Sequence, residues 1–187
     1  MGRITIAATL LATVVIAAGA THSATRDRVP AALDDPTIVA IFDAANTADI
    51  ETGALAAERG ASKEVRDFGS MLARDHKQVR QLGRDLATKL AVTPTPPKDD
   101  QGAKNHAAAM ARLRSLKGAE FDRAFLQHEA SFHKAVIDAV TSTLLPAIQN
   151  AELKALVKQV APAFEAHMIA AQNLEKKLAG TERQPAR

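Results

Sequence analysis

The sequence predicts an all-α protein in which residues 36–179 form a bundle of four long helices. A long crossover that contains a short helix is expected between helices two and three. Hydrophobic residues, many of them alanine, make up 47% of the 187 residues, and Trp and Tyr are absent. This composition is typical of closely packed helices. Four long stretches also repeat apolar residues at helical spacing, and glycine or proline separates them.

The first twenty residues have the pattern of a secretory signal peptide. Arg3 provides a short positive segment, an apolar run follows, and Ala18-Gly19-Ala20 fits a cleavage site between small residues. The apolar run is shorter than the roughly 20 residues that a spanning helix needs, which favours cleavage over an uncleaved membrane anchor. We therefore expect export to a bacterial periplasm, with residues 21–35 as a polar tether.

The first long helix is predicted from Pro36 to Arg59. An aspartate before Pro36 and Gly60 after the helix are typical start and stop residues. When successive residues are placed 100° apart, Asp49 falls on the apolar face and Glu51 points away from it. Asp49 is therefore the expected inward carboxylate of this helix.

The second long helix is predicted from Lys63 to Ala91, with Ser62 as its N-cap. Asp75 and His76 fall within the arc of its apolar stripe, so both are expected to approach the core. Basic residues occupy the flanks and the outer face of this helix.

The crossover begins with a proline-rich segment, residues 93–100, that interrupts the helical pattern. A short amphipathic helix is predicted from Gly102 to Lys117, and Gly118 is expected to end it. A connector of this length can run along a bundle instead of turning back at once.

The third long helix is predicted from Ala119 to Leu145 and carries Glu129 and His133. These two side chains are four residues apart and thus lie on one face, which is also the apolar face.

The fourth long helix is predicted from Ala151 to Leu178, with Gly180 closing it and residues 180–187 as a tail. His167 lies on its apolar stripe.

Five side chains of the types that bind metals thus fall on the inner faces of the four helices. They are Asp49, His76, Glu129, His133 and His167. Counting about 1.5 Å per residue from the connecting turns places them near one level of the bundle. Facing helices of bundles are where carboxylate and histidine metal sites are built. The pattern predicts one bound transition metal, with iron, zinc and manganese as the candidates. The alternative is a structural network of polar side chains without metal.

Other functional classes are disfavoured. The chain has no cysteine, which excludes disulfides, thiolate nucleophiles and cysteine-ligated metals. No Gly-x-Ser-x-Gly elbow or phosphate-binding glycine loop occurs. The net charge of +3 is small, and few aromatic residues are available to stack on bases, so no nucleic acid partner is expected. No small-molecule substrate is identifiable. A non-catalytic alternative is contact with an envelope protein or a membrane surface through the amphipathic crossover and the basic flank of helix two.

Several segments of the chain resemble a known family. These segments are Asp49-Ile50-Glu51-Thr52-Gly53-Ala54-Leu55-Ala56 followed by Val65-Arg66-Asp67-Phe68, then Met71-Leu72-Ala73-Arg74-Asp75-His76, then Phe121-Asp122-Arg123-Ala124-Phe125 through Glu129 and His133, and Ala163-Phe164-Glu165-Ala166-His167. The family consists of exported bacterial proteins and is known as domain of unknown function DUF4142. The resemblance covers about residues 36–178 and implies a ferritin-like four-helix bundle. It implies no characterised activity.

The chain departs from the usual ferritin-like di-iron proteins, which carry Glu-x-x-His on each of two helices. The corresponding segments here begin with Ala73 and Phe164, so both glutamates are missing. His133 is an additional histidine. Three histidines with one or two carboxylates suit a single ion better than a pair of ions bridged by carboxylates.

Overall fold

The structure, a computed structural model, describes residues 33–182, and helices make up most of this range. No strand occurs within residues 33–182, which confirms the all-α prediction. The elements in chain order are α1 (Asp35–Arg59), α2 (Lys63–Lys89), α3 (Gln101–Ser115), α4 (Gly118–Ala139), a π-helical segment (Val140–Leu144), α5 (Leu145–Ala147) and α6 (Ala151–Glu182).

The first two helices begin at residues with suitable capping side chains. Asp34 accepts a hydrogen bond from the backbone N–H of Thr37 at 2.9 Å, and the Ser62 hydroxyl accepts one from the first turn of α2. The carboxylate of Asp122 on α4 accepts the backbone N–H groups of Ala61 and Ser62, each at 2.8 Å. The turn between α1 and α2 is thereby fixed against α4.

Two predicted helix ends are wrong, and both involve glycine. The last helix does not close at Gly180 but continues to Glu182. A glycine within a helix costs only about 1 kcal/mol relative to alanine, so it does not end a helix by itself. The crossover helix ends at Ser115, and Gly118 is instead the first residue of α4, with φ of +59°. Glycine adopts this left-handed conformation at little cost.

Other observed helix boundaries differ from the predicted ones by a few residues, and some predicted boundaries fall outside the described range. Helix α1 begins at Asp35, the last residue of the predicted tether, and α2 ends at Lys89 instead of Ala91. The predicted signal peptide, most of the tether and the end of the tail lie outside residues 33–182. Within that range, no helix is long and apolar enough to span a membrane.

The long helices pack mainly as two pairs, α1 with α2 and α4 with α6. In the first pair the two backbones lie in contact. A Cβ atom on Gly53 would lie 2.7 Å from the carbonyl oxygen of Gly69, and one on Gly69 would lie 2.6 Å from that of Gly53. Only glycine at both positions permits this approach.

The crossover helix α3 is attached to α1 by side-chain contacts. The guanidinium of Arg59 donates to the carbonyls of Arg114 at 2.9 Å and Leu116 at 3.0 Å. His106 of α3 lies 2.8 Å from the Glu51 carboxylate. These bonds hold the connector along the outside of α1.

Apolar residues of the core form two separate clusters. One includes Phe68, Leu72, Phe121 and Phe125, and the other includes residues such as Ile38. Along each long helix, the residues between these two clusters include buried polar side chains. The core is therefore apolar at both ends and polar in its middle.

Candidate metal centre

All five predicted ligands are buried in this polar middle layer. Their exposed fractions are 1% for Asp49, 1% for His76, 0% for Glu129, 0% for His133 and 7% for His167. They come from four different helices, and the aromatic rings of the three histidines pack with centroids 5.1–5.5 Å apart.

The five side chains form two overlapping groups that share His133. One group is His76, His133 and His167, and the other is Asp49, Glu129 and His133. Within each group, one nitrogen or oxygen from every residue lies within 4.8 Å of the others. The structure therefore brings all five side chains into one cluster, as the counting of helical turns predicted.

Several atoms of the cluster have no hydrogen-bond partner within residues 33–182. They are both carboxylate oxygens of Asp49, both of Glu129, and Nε2 of His133. Nε2 of His133 lies 3.8 Å from the nearest Asp49 oxygen, which is too far for a hydrogen bond. A buried polar group without a partner costs about 1–3 kcal/mol. Unpaired carboxylate oxygens and an unpaired imidazole nitrogen are the donor atoms that a cation would use.

The Nδ1 atoms of His76 and His133 are hydrogen-bonded to partners other than the candidate ligand atoms, although each also lies near a cluster carboxylate, at 3.4 Å from Asp49 and 3.6 Å from Glu129 respectively. Nδ1 of His133 donates to the Glu129 carbonyl at 2.9 Å. Nδ1 of His76 lies 2.9 Å from Oδ1 of Asn46, whose amide is oriented by its own donation to the Phe42 carbonyl at 2.8 Å. These partners assign the proton of each ring to Nδ1, so that both Nε2 atoms keep a lone pair. Hydrogen bonding on the far nitrogen is the usual arrangement of metal-bound histidine.

His167 completes the set from α6. Its Nε2 lies 3.4 Å from the Asp75 carboxylate, and its Nδ1 lies 3.2 Å from Nε2 of His76. If Asp75 accepts the His167 proton, two lone pairs face each other across 3.2 Å. Two nitrogens that bind one ion tetrahedrally at about 2.1 Å are about 3.4 Å apart. The spacing thus fits two ligands of one ion.

The electrostatics of the cluster keep the histidines neutral. Burial, together with the charges of the neighbouring histidines, lowers the pKa of His76 to about 3. Burial lowers the pKa of His133 to about 4 and also lowers that of His167. Neutral imidazole is the form that binds metals.

The two carboxyl groups respond in the opposite direction. Burial raises the pKa of Glu129 to about 7. Burial, and then the charge of Glu129, raises the pKa of Asp49 well above its usual value. Without a cation, the pair therefore retains protons near neutral pH, and a bound metal ion would displace them.

Two residues of the site were not recognised in the sequence. Asn46 orients His76, and Phe164 packs its ring 5.1 Å from the His76 ring and 5.8 Å from the His133 ring. Asn46 lies three residues before Asp49 and so shares its helix face, a signal that would have identified it. Phe164 belongs to the apolar stripe of α6 and has no feature that separates it from other core residues.

An all-helical core with three histidines and two carboxylates at its centre defines a class: helical proteins with a candidate transition-metal site. The chain belongs to the family described as Domain of unknown function (DUF4142), whose model matches residues 19–174. This match confirms the resemblance. Searches of the curated proteins and of the solved structures found no match.

Proposed function

We propose that the protein is a ferritin-like four-helix bundle that binds one transition metal ion in its core. The observation that carries the proposal is the set of unpaired donor atoms on Asp49, Glu129 and His133. A protonated Asp49–Glu129 pair shares a hydrogen bond without a metal, but Nε2 of His133 would still lack a partner, and leaving a buried polar atom unpaired destabilises the fold.

The sharing of His133 supports one ion instead of two. His133 belongs to both ligand groups, and its Nδ1 is already bonded to the Glu129 carbonyl. Only Nε2 remains, and two ions would need to share it. The remaining donors are neutral imidazoles and carboxylates, which suit iron, zinc or manganese.

The number of protein ligands also limits which roles the metal site can have. Catalytic metal sites keep a position open for water or substrate, whereas sites that the protein fills are closed. Up to five buried protein ligands leave little room for a substrate. Retention or sensing of the ion, or a change of its oxidation state under stress, fits the site better than hydrolysis. The signal-peptide pattern supports a periplasmic location for this activity.

The test is metal content after separate loading with iron, zinc and manganese. The protein is purified without chelator, loaded, dialysed and analysed for metal. We expect one ion per chain of the preferred metal, and loss of that ion in a Glu129→Ala/His133→Ala double variant. The matched control is His128→Ala, which removes a histidine of the same helix from outside the ligand cluster and should keep the ion.

Failure of the wild-type protein to retain any of the three metals stoichiometrically would contradict the proposal. If the double variant then also unfolds at a lower temperature than the wild type, the five side chains form a structural network.

A further inference from the structure

A small apolar chamber, open to solvent on the side of Ala139 and Thr141, lies beside the histidine cluster, with a volume of about 90 Å³. Its walls come from α1, α4, the π-helical segment and α6. The wall residues that matter most here are Ile38, Phe42, Val140, Leu144, Val157 and Phe164. The ligand cluster does not include any of these side chains.

The chamber offers no polar atom that is available to a ligand. Only Asn46 and Thr141 carry polar side-chain atoms among the lining residues. Both ends of the Asn46 amide are bonded, to the Phe42 carbonyl and to His76. The Thr141 hydroxyl donates to the Ile137 carbonyl at 2.9 Å. Water needs two to four polar partners in a cavity, so this chamber excludes ordered water and favours an apolar occupant.

The backbone beside the chamber departs from α-helical geometry. The N–H of Leu145 bonds to the carbonyl of Val140, five residues back, where an α-helix would bond four residues back. The π segment contributes Val140, Thr141 and Leu144 to the wall. Single π turns within helices occur frequently at functional sites. The irregular turn therefore marks the chamber independently of its composition.

The chamber and the metal ligands are separated by the thickness of one side chain. Asn46 lines the chamber and orients His76, and Phe164 lines the chamber and packs against the rings of His76 and His133. An occupant would lie directly behind the histidines.

We propose that this chamber binds a small, uncharged, apolar molecule of a few heavy atoms, of the kind that dioxygen represents. Its volume is smaller than the roughly 150 Å³ of a dry cavity that binds benzene or xenon, which favours small occupants or single atoms. The inference goes beyond metal binding and does not depend on it.

The test uses xenon as the probe and NMR as the readout. We expect saturable xenon binding that shifts the methyl resonances of Ile38, Val157 and their neighbours. Ala45 lines the chamber, so Ala45→Leu should fill it and abolish the binding. The matched control is Ala44→Leu on the exposed side of the same helix, which should bind xenon as the wild type does. Dioxygen under pressure should broaden the same methyl resonances.

A second variant that fills the chamber separates a true loss of binding from misfolding of the first variant. Ala161→Leu approaches the chamber from α6 and should also abolish the binding. Saturable binding that persists in both filled variants, or its absence from the wild type, overturns the proposal. Both metal-free and metal-loaded protein are measured. Xenon binding by a protein that retains no metal would support the chamber and contradict the metal proposal. Metal retention by a protein that binds no xenon would contradict the chamber and leave the metal proposal intact.

Discussion

At the residue scale, the carboxyl groups of Asp49 and Glu129 are in opposite situations with and without a cation. Without a cation, both are buried beside each other, and burial raises the pKa of Glu129 to about 7. Beside a metal ion, both would be ionised and paired. Each of the two carboxyl groups therefore destabilises the metal-free fold at neutral pH but would contribute to metal affinity.

Glu129→Gln is expected to stabilise the metal-free protein at pH 8. Because the pKa of Glu129 rises from 4.5 to about 7 on folding, the free energy of unfolding falls as pH rises through this interval. The interval corresponds to about 3 kcal/mol, and the buried amide of glutamine offsets part of the gain, so the expected stabilisation is about 1–3 kcal/mol. Urea denaturation with chelator between pH 4.5 and pH 8 measures it.

The control for this prediction is Glu165→Gln, at an exposed position of α6, which should leave the pH dependence unchanged. An equal slope of stability against pH in wild type and Glu129→Gln would show that Glu129 ionises normally. In the metal-loaded protein the sign reverses, because glutamine replaces a charged ligand.

Asn46→Ala is expected to weaken metal binding by about 10–100-fold, the usual effect of removing a partner that orients a metal-bound histidine. Without Asn46, Nδ1 of His76 loses its 2.9 Å partner and keeps only the longer contact of 3.4 Å to the Asp49 carboxylate. Competition titration with a metal indicator measures the change. Asn105→Ala, on an exposed position of α3, is the control. Equal affinities of Asn46→Ala and wild type would exclude an orienting role.

At the scale of the elements, the distance between α1 and α2 depends on glycine. Gly53 and Gly69 place the two backbones in contact, and Asp49 lies one helical turn before Gly53. The short carboxylate of aspartate can reach the cluster from a helix that lies this close to its neighbour.

Gly53→Ala is expected to destabilise the protein by about 1–3 kcal/mol, because the new Cβ would lie 2.7 Å from a backbone oxygen that cannot move alone. Gly180→Ala is the matched control, since a Cβ there meets nothing within 4 Å. It should stabilise the helix by about 0.5–1 kcal/mol. Thermal and urea unfolding compare the two variants. Similar effects of both substitutions would argue against a close approach of α1 and α2.

At the scale of the whole molecule, the metal would connect the four long helices. An ion that binds only the folded chain stabilises it by about 2.7 kcal/mol at a concentration of 100 times Kd. For a protein of this size, that corresponds to a rise in Tm of about 5–10 °C. Calorimetry with the preferred metal should show this rise for wild type and His128→Ala. The Glu129→Ala/His133→Ala variant should show none, and a rise of equal size there would place the ion elsewhere.

Helical periodicity alone predicted much of this molecule. The all-helical class and the burial of Asp49, His76, Glu129, His133 and His167 follow from apolar stripes and from counting residues from the turns. Their proximity follows as well, because antiparallel helices of known rise align predictable positions. Whether the five side chains hold a metal stays a prediction.

The remaining features depend on tertiary contacts that no local pattern encodes. The pairing of Asn46 with His76 and the unpaired oxygens of Glu129 result from how four helices meet. The π turn at Val140 reflects a shift of one hydrogen bond, which no residue type specifies. Gly180 was overestimated as a helix end because its effect of about 1 kcal/mol is smaller than the stabilisation from continuing α6.

The position of the polar layer between two apolar clusters has a consequence for how the helices align. The backbone contact of Gly53 with Gly69 fixes the register of α1 against α2. For α6, contacts of Leu, Val and Phe in the two clusters restrict a slide by one turn, about 5.4 Å, less strictly. Such a slide would move His167 into an apolar cluster and leave its ring nitrogens without partners. The buried ligands therefore help to fix the axial register of the helices. Replacing all five with leucine should give a bundle that is more stable but has several alternative registers.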